Sequence, residues 1–154
     1  MTLYNLRGIL SMKDEKEILE NMRKIGLRFD GIEEFSSALR KGIDYSDPKF
    51  FSHTMFKKNF KDQSTKEFKL EILGIILGLM DDPRMGEKKT GPLKGLRSIE
   101  LKTVSRGRLV YSYFKRSNTI HLIYVGSHGG LGSKYEVLQK NLGKKLSLFN
   151  REGD

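Results

Sequence analysis

Residues 97–125 read RSIELKTVSRGRLVYSYFKRSNTIHLIYV, and the spacing of their apolar positions decides the fold. From Arg97 to Val104, Ile99 and Leu101 fall on one side, with Glu100 and Lys102 on the other. That two-residue alternation is the pattern of a half-buried strand. Ser105-Arg106-Gly107 supplies a tight turn. From Arg108 to Phe114, Leu109, Tyr111 and Tyr113 alternate with Arg108, Val110 and Ser112. Lys115-Arg116-Ser117-Asn118 turns again, and Thr119–Val125 is almost wholly apolar, as a strand covered on both faces would be. Short turns between consecutive strands make an antiparallel meander.

Upstream the period changes from two to the helical value. Phe68, Ile72, Leu73, Ile75, Ile76, Leu79 and Met80 share a broad apolar face, and Asp81-Asp82-Pro83 stops the helix. Ser64-Thr65-Lys66-Glu67 reads as a capping box at its start. The preceding Phe50–Phe60 stretch reads as a strand running into a helix. Downstream come a glycine-rich loop, Gly126 to Gly132, and an amphipathic helix capped by Ser133 and carrying Leu138, Leu142 and Leu146. The expected class is α+β: a small twisted antiparallel sheet packed on one face by N-terminal helices, with a C-terminal helix.

Charge divides the chain in two. Residues 1–48 hold 8 Lys/Arg and 9 Asp/Glu, whereas residues 49–154 hold 21 and 10. The first segment reads as a helical extension, with helices near 12–26 (Ile18, Leu19, Met22, Ile25) and 32–39, and residues 49–154 as the main domain. A domain at net +11 attracts polyanions by releasing their counterions, so nucleic acid, a ribosome or an acidic protein are its natural partners. The chain has no cysteine, which excludes disulfides, thiolate metal sites and thiol nucleophiles. Its most apolar run, Leu70 to Met80, is too short to span a bilayer. A soluble, cytoplasmic protein is expected.

Three tags then stand in order: Leu93-Lys94-Gly95-Leu96-Arg97, Arg108-Leu109-Val110-Tyr111 and Tyr124-Val125-Gly126-Ser127-His128, preceded by Asp82-Pro83-Arg84-Met85-Gly86. In order and spacing they resemble the RelE/ParE superfamily of toxins from type II toxin–antitoxin systems. The resemblance covers about residues 49–140 and not the N-terminal extension. It implies the RelE-like fold and an acidic antitoxin partner. It also implies one of two activities. One branch of the superfamily cleaves mRNA, most often in the ribosomal A site, without metal or cofactor; the other poisons DNA gyrase without cutting.

For the cleaving branch, the 2′-hydroxyl attacks the adjacent phosphate and leaves a cyclic phosphate. That reaction needs a base, an acid and cations around the phosphorane. The resemblance places His128 as general acid or base, Arg108 with Arg106 or Lys102 as transition-state cations, and Glu100 as a base. Lys88, Lys89, Lys94 and Arg97 would bind the RNA backbone, and Tyr135 matches a tyrosine near the family's C-terminus. Other readings of these residues are a Gly-rich surface turn around His128 and a salt bridge from Glu100 to Lys102 or Arg106. His53 and His121 read as structural. A gyrase inhibitor would have the same fold without needing His128, and a non-catalytic basic binding module is a third class. The amphipathic face of helix 12–26 is available to restrain the main domain or to pair with a second copy.

Overall fold

The structure, a computed structural model, describes residues 48–63, 65–127 and 134–153. The N-terminal extension, Ser64, the loop carrying His128 and Ser133 lie outside them. Strand β1 (Lys49–Ser52) leads into helix α1 (Thr54–Asp62) and helix α2 (Lys66–Asp81). A two-residue strand β2 (Glu87–Lys88) and a 3-10 turn (Gly91–Leu93) precede β3 (Arg97–Leu101), β4 (Gly107–Phe114) and β5 (Thr119–Ser127). Helices α3 (Lys134–Leu142) and α4 (Lys144–Glu152) end the chain.

The meander forms as its alternation demands: β3 pairs antiparallel with β4, and β4 with β5. The sheet is nevertheless mixed, not purely antiparallel. Its order is β1-β5-β4-β3-β2, and β1 lies parallel to β5. Residues 49–52 reach that place because α1 and α2 carry the chain away before the meander begins. Lys49 N–H donates to Asn118 O and His53 N–H to Leu122 O, which locks both ends of β1.

Helices cover both faces of the sheet, where cover on one was expected. Ile99, Leu101, Leu109, Tyr111, Tyr113, Ile120, Leu122 and Val125 join Phe56, Phe60 and α2 in one core. Val110, Ile123 and Tyr124 join Leu138, Leu142, Leu146 and Phe149 in a second. The C-terminal helix is two helices, broken at Gly143, whose φ of 56° lies in the left-handed region that glycine tolerates. Helix α2 is buried on all sides from Glu71 to Leu79, more than its apolar face predicts. Its N-cap is Thr65, one residue after the expected Ser64; the Thr65 hydroxyl accepts from Phe68 N–H at 3.2 Å.

One irregularity sets the phase of the site. Opposite β4, Val110 pairs with Tyr124 but Tyr111 pairs with Leu122, so Ile123 is a surplus residue in a β-bulge. The bulge places Ile123 and the next residue, Tyr124, in the same core. Downstream, Gly126 consequently lies opposite Arg108.

Candidate active site

Three strands bring the sequence candidates to one end of the sheet. Glu100 pairs with Arg108, and Arg108 pairs with Gly126, so the three form one row across β3, β4 and β5. Directly opposed residues share a face, and adjacent strands lie about 4.8 Å apart, so the row spans about 10 Å. It is the polar end of a face whose middle is closed by α3 and α4. Glu100 is exposed and Arg108 half-buried. The Arg108 guanidinium donates through Nη1 to Gly107 O at 2.8 Å, which folds it back over the strand end.

The β3–β4 turn adds two exposed cations, Lys102 and Arg106. Arg106 has a φ of 52°, a left-handed conformation unusual for arginine. This turn is held from beneath by Glu71, a buried carboxylate on α2 that sequence reasoning passed over. Glu71 accepts from Lys102 N–H at 2.6 Å and from Thr103 N–H at 3.1 Å, and from the Thr103 hydroxyl. The available signal was a lone acid inside an otherwise apolar run. β3 stops at Leu101, short of the expected Val104, where this clamp takes over the backbone donors.

At the end of β5, Tyr124 O–H donates to Ser127 O, turning the chain as it leaves toward His128. Burial raises the Tyr124 pKa, so the phenol stays protonated. Gly126 has a φ of 142°, and a Cβ there would crowd the Tyr124 hydroxyl. Beside Ser127 opens a cavity of about 380 Å³ between α1, β5 and α3, with Lys58, Asn59, Asp62 and Asn141 in its wall. His128 lies outside the described residues. Tyr135 falls in the first turn of α3.

The basic residues expected to bind RNA separate into two groups. Lys88 and Lys94 are exposed and Lys89 half-buried, along the β2 edge. Arg97 is a correction. It is 8% exposed, and its Nη1 donates to Arg84 O at 3.0 Å and Gly86 O at 2.9 Å. The same loop is tied by Tyr111, whose hydroxyl donates to Pro83 O and accepts from Gly86 N–H. Arg97 therefore points inward and braces the loop after α2, where a charge count places it on the surface. His53 and His121 also meet: His53 Nε2 lies 2.9 Å from His121 Nδ1, across 68 residues of sequence. Among the described residues, no cluster of three or more His, Asp or Glu could hold a metal ion. No described helix is long and apolar enough to cross a membrane.

A five-stranded mixed sheet flanked by helices is compatible with the RelE-like fold that the sequence tags resemble. Residues 51–135 match the family model described as ParE-like toxin of type II bacterial toxin–antitoxin system. The chain belongs to this family, and with it the chain is a toxin of a type II toxin–antitoxin system with an antitoxin as partner. No curated protein sequence matches the chain.

Proposed function

We propose that the toxin is a metal-independent endoribonuclease that cleaves mRNA, with the ribosome presenting the message in its A site. The observation that carries this reading is the Glu100–Arg108–Gly126 row beside the Lys102 and Arg106 turn. A phosphorane gathers negative charge on its equatorial oxygens. A guanidinium fork with two further cations nearby stabilises that charge, and most strongly where water is partly excluded. In this reading Glu100 takes the 2′-hydroxyl proton. His128, arriving just after Ser127, supplies the acid for the leaving 5′-oxygen, because an imidazole titrates near neutral pH. Lys88, Lys89 and Lys94 continue the positive surface along the neighbouring edge and suit the RNA backbone. An acidic antitoxin would neutralise the same surface.

The test is primer-extension mapping of mRNA cleavage by the purified toxin, with and without ribosomes. Cuts by the wild type that need ribosomes and disappear in Arg108→Ala and His128→Ala are the expected result. Absence of cuts under every condition overturns it. The family's description as ParE-like favours one second reading, inhibition of DNA gyrase without catalysis. In that case gyrase supercoiling is inhibited equally by the wild type and by His128→Ala.

A further inference from the structure

At the opposite end of the sheet, five rings from four parts of the chain pack together. Phe51 lies directly across from His121 in the β1–β5 register and stacks on it, with centroids 5.5 Å apart and planes 22° apart. His53 meets His121 through the 2.9 Å contact with their planes tilted by 35°, Phe114 of β4 lies 4.7 Å from His121, and Phe149 of α4 lies 5.4 Å from both histidines. The outer part of this cluster faces solvent. Phe51 is 42% exposed, the one large apolar side chain so exposed among the described residues. Beside it is a cavity of about 330 Å³ lined by Phe51, His53, His121, Lys145, Leu148 and Phe149, with no carboxylate in its described wall.

The surroundings are basic. Lys145 from α4 acts on both imidazoles and Lys57 from α1 on His53. Lys49, exposed, is two residues before Phe51 and on the same side of β1. Through Phe114 the cluster adjoins a second cavity of about 560 Å³, bordered by Lys115, Arg116 and Arg151 against one acid, Glu152, among the described residues. Burial, reinforced by the Lys145 charge, holds both histidines at a pKa of about 4, so at neutral pH they are flat, uncharged rings. That same positive field disfavours a metal cation between them. A flat aromatic surface ringed by lysines is the composition of a platform for single-stranded nucleic acid, where bases stack and phosphates pair with the cations.

We propose that Phe51, with Lys49, Lys57 and Lys145 around it, is a stacking subsite for a base of single-stranded RNA, separate from the Glu100–Arg108 row. Arg108 and Phe114 stand at opposite ends of β4, about 20 Å apart by strand geometry, so the subsite engages RNA away from the cleaved bond. The proposal takes the RNA reading of the preceding section as its starting point, and it is tested by binding alone.

The probe is a short fluorescein-labelled 2′-O-methyl oligoadenylate, which the 2′-hydroxyl mechanism cannot cleave. Its affinity for the full chain is read by fluorescence anisotropy at low salt. Phe51→Leu keeps an apolar side chain and removes the π face; it is expected to weaken binding by about fivefold or more, whereas Phe51→Tyr retains it. Lys145→Ala should shrink the slope of log affinity against log salt by about 0.7. Unlabelled oligoadenylate should displace the probe far better than a poly-glutamate peptide of matched charge. Unchanged affinity in Phe51→Leu, equal displacement by poly-glutamate, or no binding by the wild type each overturns the proposal. Equal displacement would mark the surface as one for an acidic protein. Phe51-dependent binding by a toxin that cleaves no RNA would sink the nuclease reading and leave the subsite standing.

Discussion

The Oε2 atom of Glu71 accepts a 2.6 Å hydrogen bond from the backbone N–H of Lys102, tying the second turn of α2 to the tip of the β3–β4 hairpin. The link makes the cationic turn a rigid extension of the main core helix. It also means that the turn's geometry depends on a side chain from the helix packed on the opposite face of the sheet from the Glu100–Arg108 row.

Glu71→Ala should therefore destabilise the toxin by about 3 kcal/mol, since it removes a charged acceptor and leaves two backbone donors of the turn without it. Glu71→Gln, which keeps one good acceptor, should lose less. Urea unfolding followed by circular dichroism gives both values. A Glu71→Ala midpoint equal to that of the wild type would contradict the clamp.

The paired histidines give the fold an acid-sensitive seam. Both have a pKa lowered from 6.5 to about 4, chiefly by burial. The unfolded chain then binds more protons than the folded one below pH 6.5. Stability from the pair is full above that value and is lost as pH falls toward 4. Discounted for partial exposure, the loss is roughly 2 kcal/mol. Melting temperatures measured across this window should fall for the wild type and fall less steeply for the double variant His53→Leu/His121→Phe.

Arg97 separates surface charge from structural charge. Arg97→Ala should cost about 2–3 kcal/mol, because the carbonyls of Arg84 and Gly86 lose a buried charged donor. Lys94→Ala, at an exposed position, should leave stability within about 0.5 kcal/mol. RNA affinity should show the reverse order among variants that remain folded, with Lys94→Ala weakening binding and Arg97→Lys not.

Gly95 is where the C-terminal helix touches the sheet layer. Its φ is 93°, and a Cβ there would collide with the backbone of Phe149 and Asn150. Gly95→Ala should destabilise the fold by more than about 2 kcal/mol, combining an unfavourable φ with displacement of α4. Limited proteolysis should then release the C-terminus first.

Much of this was legible in the sequence. The alternation of Leu109, Tyr111 and Tyr113 against Val110 and Ser112 marked the strands, and the three tags led to the family, but the second core, built by Val110, Ile123 and Tyr124 against the C-terminal helices, was not expected. What stayed hidden were relations between distant residues. A charge count places Arg97 in a basic patch, because nothing local shows that the carbonyls of Arg84 and Gly86 wait for it. The four residues of β1 carry no mark of a parallel partner in β5, and His53 and His121 read as isolated structural groups until that pairing brings them within hydrogen-bond distance. Glu71 was concealed by the strength of its own helix signal. The bulge at Ile123 has no glycine to announce it, and only the pairing with β4 exposes it.

That bulge also acts as a length buffer. Ile123 lies opposite nothing, so a chain lacking it could pair Tyr124 with Val110 and Gly126 with Arg108 as before. Such a chain would lose one buried side chain but keep the point from which the His128 loop departs. Removing Val125 instead would shift Gly126 and Ser127 by one step against β4 and exchange the faces they take. Within a single strand, change in length is harmless to the site on one side of residue 123 and ruinous on the other.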